Sequence, residues 1–368
     1  MKKMLYIMGE SWYWIKQRPH FFAEYLSNDY HIDLVFEKRY TKRVDNTVPT
    51  NIICHELFKF PKTHNTIIKR FNNSLIKKSL KKIINGNKYD IILINNYKHY
   101  DLIKNFISAD DYVVYDCMDD FAEFKGSKRS EAVHNEILNQ EKSLYSRSNL
   151  VAFSSEYLKQ KLISRYYEKD NSIVINNAVE LNFDETGSSL PATVFPLFSE
   201  SMKNICYIGT VSDWFDFSLV LNTLEKFKDI NFVLVGPSDT EIPHHERLQY
   251  HTQIPHSSLM KVMKKADLLV MPFVVDELVR SVNPVKVYEY VYSRTPSLIV
   301  YYEETEKFKD YVYLYKSELE FFDYVSKLTN NNLPTLVSED DAIAFGNENT
   351  WEKRIKVLKE YLNIHITK

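Results

Sequence analysis

The sequence predicts an α/β protein built from two doubly wound parallel sheets in tandem. Two observations carry this. Short apolar, β-rich runs alternate with longer amphipathic stretches along the first half, and after a turn-rich interruption the same alternation starts again. Parallel strands need crossover connections, and helices supply them.

In the first half, strand-like runs fall at 5–8, 32–36, 52–57, 91–94, 112–115, 150–153 and 173–175. Each is strand-like in length and in its polar or turn-forming boundaries. Helix-compatible stretches lie between them at 19–27, 66–84, 101–107, 130–146 and 156–166. Periodicity lapses through Thr-Gly-Ser-Ser-Leu-Pro-Ala-Thr and Phe195-Pro196. Strands are expected again at 205–208, 232–235, 248–252, 268–271, 297–301 and 312–314, with helices near 217–227, 257–265, 285–292 and 318–328. An amphipathic helix over 351–362 is expected to pack back across the domain boundary. The expected layout is an N-terminal domain over 1–185, a linker over 186–201, a C-terminal domain over 202–347 and a closing helical segment over 348–368.

Composition narrows the classes of function. The 368 residues are 44% hydrophobic and 26% charged with a formal net charge of −2, an ordinary globular balance that leaves room for two cores. A general basic excess for duplex binding is missing. Cys54, Cys117 and Cys206 stand alone, with no CxxC and no histidine at metal-ligand spacing, so neither a disulfide framework nor structural zinc is indicated and reduced, cytosolic thiols are expected. The apolar stretch 4–8 is short of a signal-peptide core, so no secretion is expected. The longest apolar runs reach about half the ~18 residues of a membrane span.

Ligands of open parallel sheets bind beyond the carboxyl ends of the strands. Only seven glycines occur, and neither GxGxxG nor GxxxxGK[ST] is present. Gly209 (followed by Thr210) and Gly236 sit just past strands, where a glycine either admits a phosphate to backbone N–H groups or makes a tight turn needing positive φ. The most informative segment is 280–290, Arg-Ser-Val-Asn-Pro-Val-Lys-Val-Tyr-Glu-Tyr. Pro284 suits a first helical turn with Asn283 as its cap. Lys286 then lies near the helix N-terminus, where a cation is disfavoured unless an anion joins it, and a diphosphate would do so. Glu289 shares that face and is suited to sugar hydroxyls; a plain Lys286–Glu289 pair on a solvated face explains the same letters.

The ordered set Tyr207-Ile208-Gly209-Thr210, then 232–237, Ile254-Pro255-His256, Ala266-Asp267, Pro272-Phe273 and Asn283 to Tyr290 resembles GT-B glycosyltransferases of the family-4 kind, bacterial teichuronic-acid and capsular polysaccharide enzymes among them. Trp14 to His20 and Tyr115 to Phe121 resemble further motifs of that group, and the likeness spans roughly 4–299. The resemblance implies two Rossmann-like domains facing a cleft. It implies a nucleotide-sugar donor, UDP first, with its diphosphate near Gly209, Arg280 and Lys286, its ribose on Glu289 and its base by 254–256. It also implies a lipid-linked or growing surface-glycan acceptor, as in capsule or O-antigen synthesis, and no essential metal or other cofactor. Two departures stand out. Ser281 occupies the place of the first acid of a Glu-x7-Glu pair, and 211–216 carries no basic pair after the glycine loop. Arg280 is the candidate for that missing charge.

On the acceptor side, Asp116, Asp119 and Asp120 follow the strand at 112–115. If the reaction inverts, Asp120 and then Asp119 are the candidate bases; if it retains, they position the acceptor; capping and turn roles explain them as well. Arg18 is a candidate acceptor contact. His20 is a candidate catalytic group and equally a structural one. Lys69, Arg70, Lys77, Lys78, Lys81 and Lys82 form the core of an acid-free basic stretch, candidate for peripheral contact with the inner leaflet from the cytoplasm, although a solvated face over a packed apolar side produces the same pattern. Stacking aromatics do not interleave these lysines, so no nucleic-acid partner is expected. A nucleotide-sugar epimerase and a non-catalytic donor-binding scaffold at the membrane are the rival readings.

Overall fold

A computed structural model describes the chain except residues 41, 42, 45, 62–64, 182–192 and 367–368. It divides into two compact units, Met1–Asn176 with Arg354–Lys368, and Asn177–Lys353. The division falls before the expected 185/186 boundary. Most of the expected linker lies outside the described residues; Phe195–Leu197 within it forms a 3₁₀ turn.

The first unit runs β1 (Lys2–Ile7), α1 (Arg18–Leu26), β2 (Tyr30–Glu37), β3 (Ile52–Leu57), α2 (Thr66–Asn85), β4 (Ile91–Ile94), α3 (Tyr97–Ile103), β5 (Val113–Cys117), α4 (Glu131–Arg147), β6 (Leu150–Phe153), α5 (Glu156–Arg165) and β7 (Ser172–Val174). Its sheet has the order β3-β2-β1-β4-β5-β6-β7, every pair parallel. The order reverses between β1 and β4, so the carboxyl ends of these two strands open a crevice. Continuous apolar strands such as Ile91–Ile94 are buried throughout, as a sheet covered on both faces requires.

The second unit runs β8 (Lys203–Ile208), α6 (Phe217–Lys226), β9 (Ile230–Val235), β10 (Leu248–His251), α7 (Leu259–Lys265), β11 (Leu268–Met271), α8 (Glu277–Ser281), α9 (Val285–Ser293), β12 (Ser297–Val300), β13 (Tyr313–Tyr315), α10 (Glu318–Thr329) and α11 (Glu339–Glu348), and α12 (Trp351–Ile366) follows. The parallel order β10-β9-β8-β11-β12-β13 reverses between β8 and β11. Tyr290 of α9 sets its hydroxyl at 3.0 Å from the Ile208 amide, fixing that helix to the end of β8. Gly346 lets α11 lie against α9, since a Cβ there would stand 2.7 Å from the Tyr292 ring.

Three expectations are corrected. The helix expected over 101–107 starts at Tyr97, where the Asn96 side chain accepts the Lys98 amide and caps it. α8 and α11 are additional helices, each capped by a side chain that the apolar period does not report, Asp276 and Ser338. Pro284, rather than Asn283, occupies the cap position of α9.

Candidate functional site

In the second unit, β8 and β9 end on a pair of glycines held backbone to backbone. Gly209 has φ 157° and Gly236 φ 149°, and a Cβ on Gly236 would stand 2.0 Å from the Gly209 carbonyl oxygen. Both amides are spent on the sheet edge, Gly209 on Val235 O and Gly236 on His251 O, each at 3.0 Å. The glycines therefore clear space rather than present their own N–H groups. The Thr210 carbonyl accepts the Tyr207 hydroxyl at 2.8 Å. Beyond it, Phe215 packs against Tyr207 and pairs with Phe273 across an isolated bridge, so aromatic contacts hold the loop where the resembled enzymes carry charge.

The first turns of α9 bring Lys286 and Glu289 together, with His256 beside them. Lys286 donates to Glu289 at 2.8 Å, and His256 reaches the other Glu289 oxygen at 3.6 Å. Pro255 opens the 3₁₀ turn His256–Ser258 that delivers this histidine, a partner that the residue pattern alone did not single out. Burial pushes Glu289 upward, but the Lys286 ammonium and the His256 ring override it and hold the carboxyl at about 2. Arg280 sits on α8, gripped by Glu303 at 3.2 Å and Glu277 at 3.0 Å. Asn283 is buried and braces the loop: its Oδ1 accepts the Asn177 amide and its carbonyl accepts the Asn177 side chain, both at 2.7 Å. Ser281 is fully buried and donates to the Leu278 carbonyl.

In the first unit, the candidates separate into buried ties and one open group. Arg18 and Asp116 are buried and face each other, Nε to Oδ1 at 2.9 Å, with Arg18 also donating to the Ile175 carbonyl. Burial raises the Asp116 carboxyl and Arg18 opposes the rise. This pair joins α1, β5 and the end of β7, so neither side chain is presented to an acceptor as expected. His20 is likewise fully buried: Nδ1 accepts the Gln17 amide at 3.2 Å and Nε2 lies 3.1 Å from the Ser11 carbonyl. Burial lowers its pKa to about 4, which suits a neutral ring accepting at one nitrogen and donating at the other. Both nitrogens are occupied, which corrects the catalytic expectation for this residue.

Asp120, the first choice of base, is also corrected. It has no exposed surface, and Arg165 clamps both oxygens at 2.9 and 2.6 Å while Lys161 approaches at 3.1 Å. A carboxylate so bound has no lone pair facing an incoming hydroxyl. The network continues from Arg165 to the buried Glu141 at 3.2 Å. Asp119, one residue earlier, is the open one. It lines a cavity of about 280 Å³ with Gly9, Glu10, Asn95, Asn96, Tyr97, Lys98, Phe121 and Phe124, at the β1/β4 reversal. Burial, with Glu10 adding to it, lifts Asp119 to about 6. Glu10 and the asparagine pair were missed in the sequence, although Asn95 and Asn96 directly follow β4 and Glu10 stands three residues past β1.

On α2, Lys69, Arg70, Lys77, Lys78, Lys81 and Lys82 are all exposed, while Ile76, Leu80 and Ile84 enter the core. Phe71 does not join them. It is 54% exposed and meets Phe60, which meets Phe58, with Ile67 79% exposed nearby on the helix. Among the described residues no helix is long and apolar enough to cross a membrane, and no three His, Cys, Asp or Glu side chains are grouped to hold a metal ion.

No family model and no curated protein matches the sequence. Solved structures do match. Sucrose-phosphate synthase from Thermosynechococcus elongatus has a TM-score of 0.78 at 12% identity, covering 100% of both chains. HepE from Anabaena, in complex with UDP and glucose, has a TM-score of 0.71 at 13% identity over 99% of this chain and 100% of its own. A glycosyltransferase from Rickettsia africae has 0.65 at 13% identity over 100% and 99%. At such identity the shared property is the fold, and the two reversing parallel sheets of this chain are the GT-B fold of these neighbours.

Proposed function

We propose that the chain is a glycosyltransferase that moves a sugar from a nucleotide diphosphate sugar, UDP-sugar first, to a lipid-linked or growing surface glycan. The observation that carries this reading is the Lys286–Glu289–His256 cluster on α9, anchored beside the end of β8 in a fold shared with a protein solved with UDP and glucose. Held at about 2, Glu289 is ionised at neutral pH and accepts ribose hydroxyls. Lys286 turns from Glu289 to the diphosphate, and Arg280 exchanges Glu303 and Glu277 for it. These cations then stabilise the charge that grows on the departing nucleotide diphosphate, the term that dominates such transfers. In the first unit Asp119 replaces Asp120 as the carboxylate that meets the acceptor hydroxyl.

Thermal-shift titration with UDP, GDP, CDP, dTDP and their sugars tests the donor site, because a ligand of the folded state raises Tm. A saturable shift with one nucleotide, weakened roughly 10- to 100-fold in folded Lys286→Ala and Glu289→Ala proteins, is expected from the loss of charged hydrogen bonds. Unchanged affinity in both variants removes the site assignment. Conversion of the donor without acceptor would identify an epimerase instead, and binding without turnover a scaffold.

The reading extends to an anionic leaflet on the cytoplasmic side. Exposed Phe58, Phe60, Ile67 and Phe71 adjoin the α2 cations, pairing an insertable apolar surface with charge complementary to acidic lipid. Sedimentation with phosphatidylserine vesicles, lost in Phe60→Ser/Phe71→Ser and in Lys78→Glu/Lys82→Glu, is the expected result. Equal binding to neutral vesicles, or none to either, ends this part of the proposal.

A further inference from the structure

The cavity at the β1/β4 reversal has a mixed lining. Carboxylates reach it from two strand ends, Glu10 after β1 and Asp119 after β5. Aromatic rings line it as well: Tyr97 meets Phe121 edge-on at 5.4 Å, and Phe121 stacks on Phe124 at 6.2 Å. The buried Asn95 spends its Oδ1 on the Gly9 amide at 2.7 Å, and Asn96 spends its own on the Lys98 amide. Ser127 donates to the Phe121 carbonyl at 2.7 Å, bracing the aromatic loop. Two carboxylates and a set of aromatic rings in one small cavity match a ligand with several hydroxyl donors and one apolar face, which describes a pyranose ring.

Size and charge narrow the ligand further. At about 280 Å³ the cavity lies at the lower edge of the ~300–1,000 Å³ typical of small-molecule pockets, the scale of one sugar rather than several. Lys98 is the one cation among the lining residues against two carboxylates. Burial raises both acids and outweighs the nearby cations, Arg39 and Lys59 at Glu10 and Arg18 at Asp119, so the site already resists the negative charge it holds. A phosphate or carboxylate on the ligand would add a further like charge there.

We propose that this cavity holds the accepting end of the glycan as a single sugar ring bearing no phosphate or carboxylate, and that Glu10 enforces that choice. The inference rests on the reading that the chain transfers a sugar, and it adds the acceptor class and a specificity residue. Glu10 acts on selection, not on the donor.

Saturation-transfer NMR on the full chain tests it, with methyl glucoside, methyl galactoside and methyl N-acetylglucosaminide as neutral probes and methyl glucuronide and glucose 6-phosphate as anionic ones. At least one neutral probe is expected to bind saturably, and both anionic probes roughly tenfold more weakly or worse, the scale of one unfavourable charge contact. In Glu10→Gln that discrimination shrinks severalfold and in Glu10→Lys it reverses, while the UDP-induced Tm shift is unchanged. Phe124→Ala weakens every probe. Anionic probes binding as well as neutral ones, discrimination untouched in both Glu10 variants, or no neutral probe binding would each overturn the proposal. A UDP shift in those same samples leaves the donor reading standing; a missing UDP shift strikes the donor reading separately.

Discussion

The two sheets reverse their strand order in the same way, yet the crevices at the two reversals carry opposite electrostatics. At the β8/β11 end, Glu289 is buried and is nonetheless held at about 2, because Lys286 and His256 face it. At the β1/β4 end, Asp119 keeps some exposure and is lifted to about 6, by burial first and by Glu10 next, with Arg18 opposing the rise and Asp116 and Asp120 adding to it. Burial pushes both acids upward; the cations beside Glu289 reverse that direction, and the neighbours of Asp119 leave it standing. The second unit thus holds a carboxylate depressed by the cations around it, and the first a carboxylate raised toward neutrality beside aromatic rings.

The contrast is broken most strongly at Asp120. Its salt bridges to Arg165 and Lys161 are internal to the first unit, so Asp120→Asn is expected to destabilise by roughly 3–5 kcal/mol, the usual result of removing one partner of a buried pair. Chemical denaturation reads this, and a variant of wild-type stability that lacks only transfer would return Asp120 to the catalytic role. Strand-end glycines come next. Gly236→Ala should cost roughly 2–4 kcal/mol, since its Cβ would collide with the Gly209 backbone at a strained φ. In the first unit Gly9→Ala meets the movable end of the Asn96 side chain at 2.9 Å and should cost about 1 kcal/mol, while crowding the cavity that Gly9 lines. Equal losses at both positions would mean that the two strand ends are not built differently.

The smallest expected effect sharpens the contrast by pH. If Asp119 receives the acceptor hydroxyl, kcat/KM for acceptor should rise as pH passes about 6. Stability follows the opposite signs. Asp119, raised in the fold, favours folding at low pH and loses that contribution as pH climbs from about 4 through 6; Glu289, depressed, contributes above about 4.5 and loses it as pH falls through 2. A pH-independent acceptor profile would remove Asp119 from the reaction.

Strand positions were legible because buried parallel strands are apolar from end to end; Ile91–Ile94 and Ile230–Val235 needed little else. The Lys286/Glu289 spacing was legible because i and i+3 share a helix face. Helices set by caps rather than by apolar period were not: α3 begins four residues early on the Asn96 side chain, and α8 depends on Asp276. Among the aspartates, sequence placed three at one strand end and could not rank them, since Asp116 turns to Arg18, Asp120 to Arg165, and Asp119 to the cavity.

By itself, then, the sequence determined the two-sheet architecture, the shared helix face of Lys286 and Glu289 and the basic face of α2, all of which follow from local period and local spacing. Tertiary structure alone decided which charges meet. Arg165 reaches Asp120 across 45 positions, and Gly9 comes to Asn95 across 86, so the identity of the open carboxylate and the walls of its cavity depend on packing between distant elements, whose partners no local pattern records.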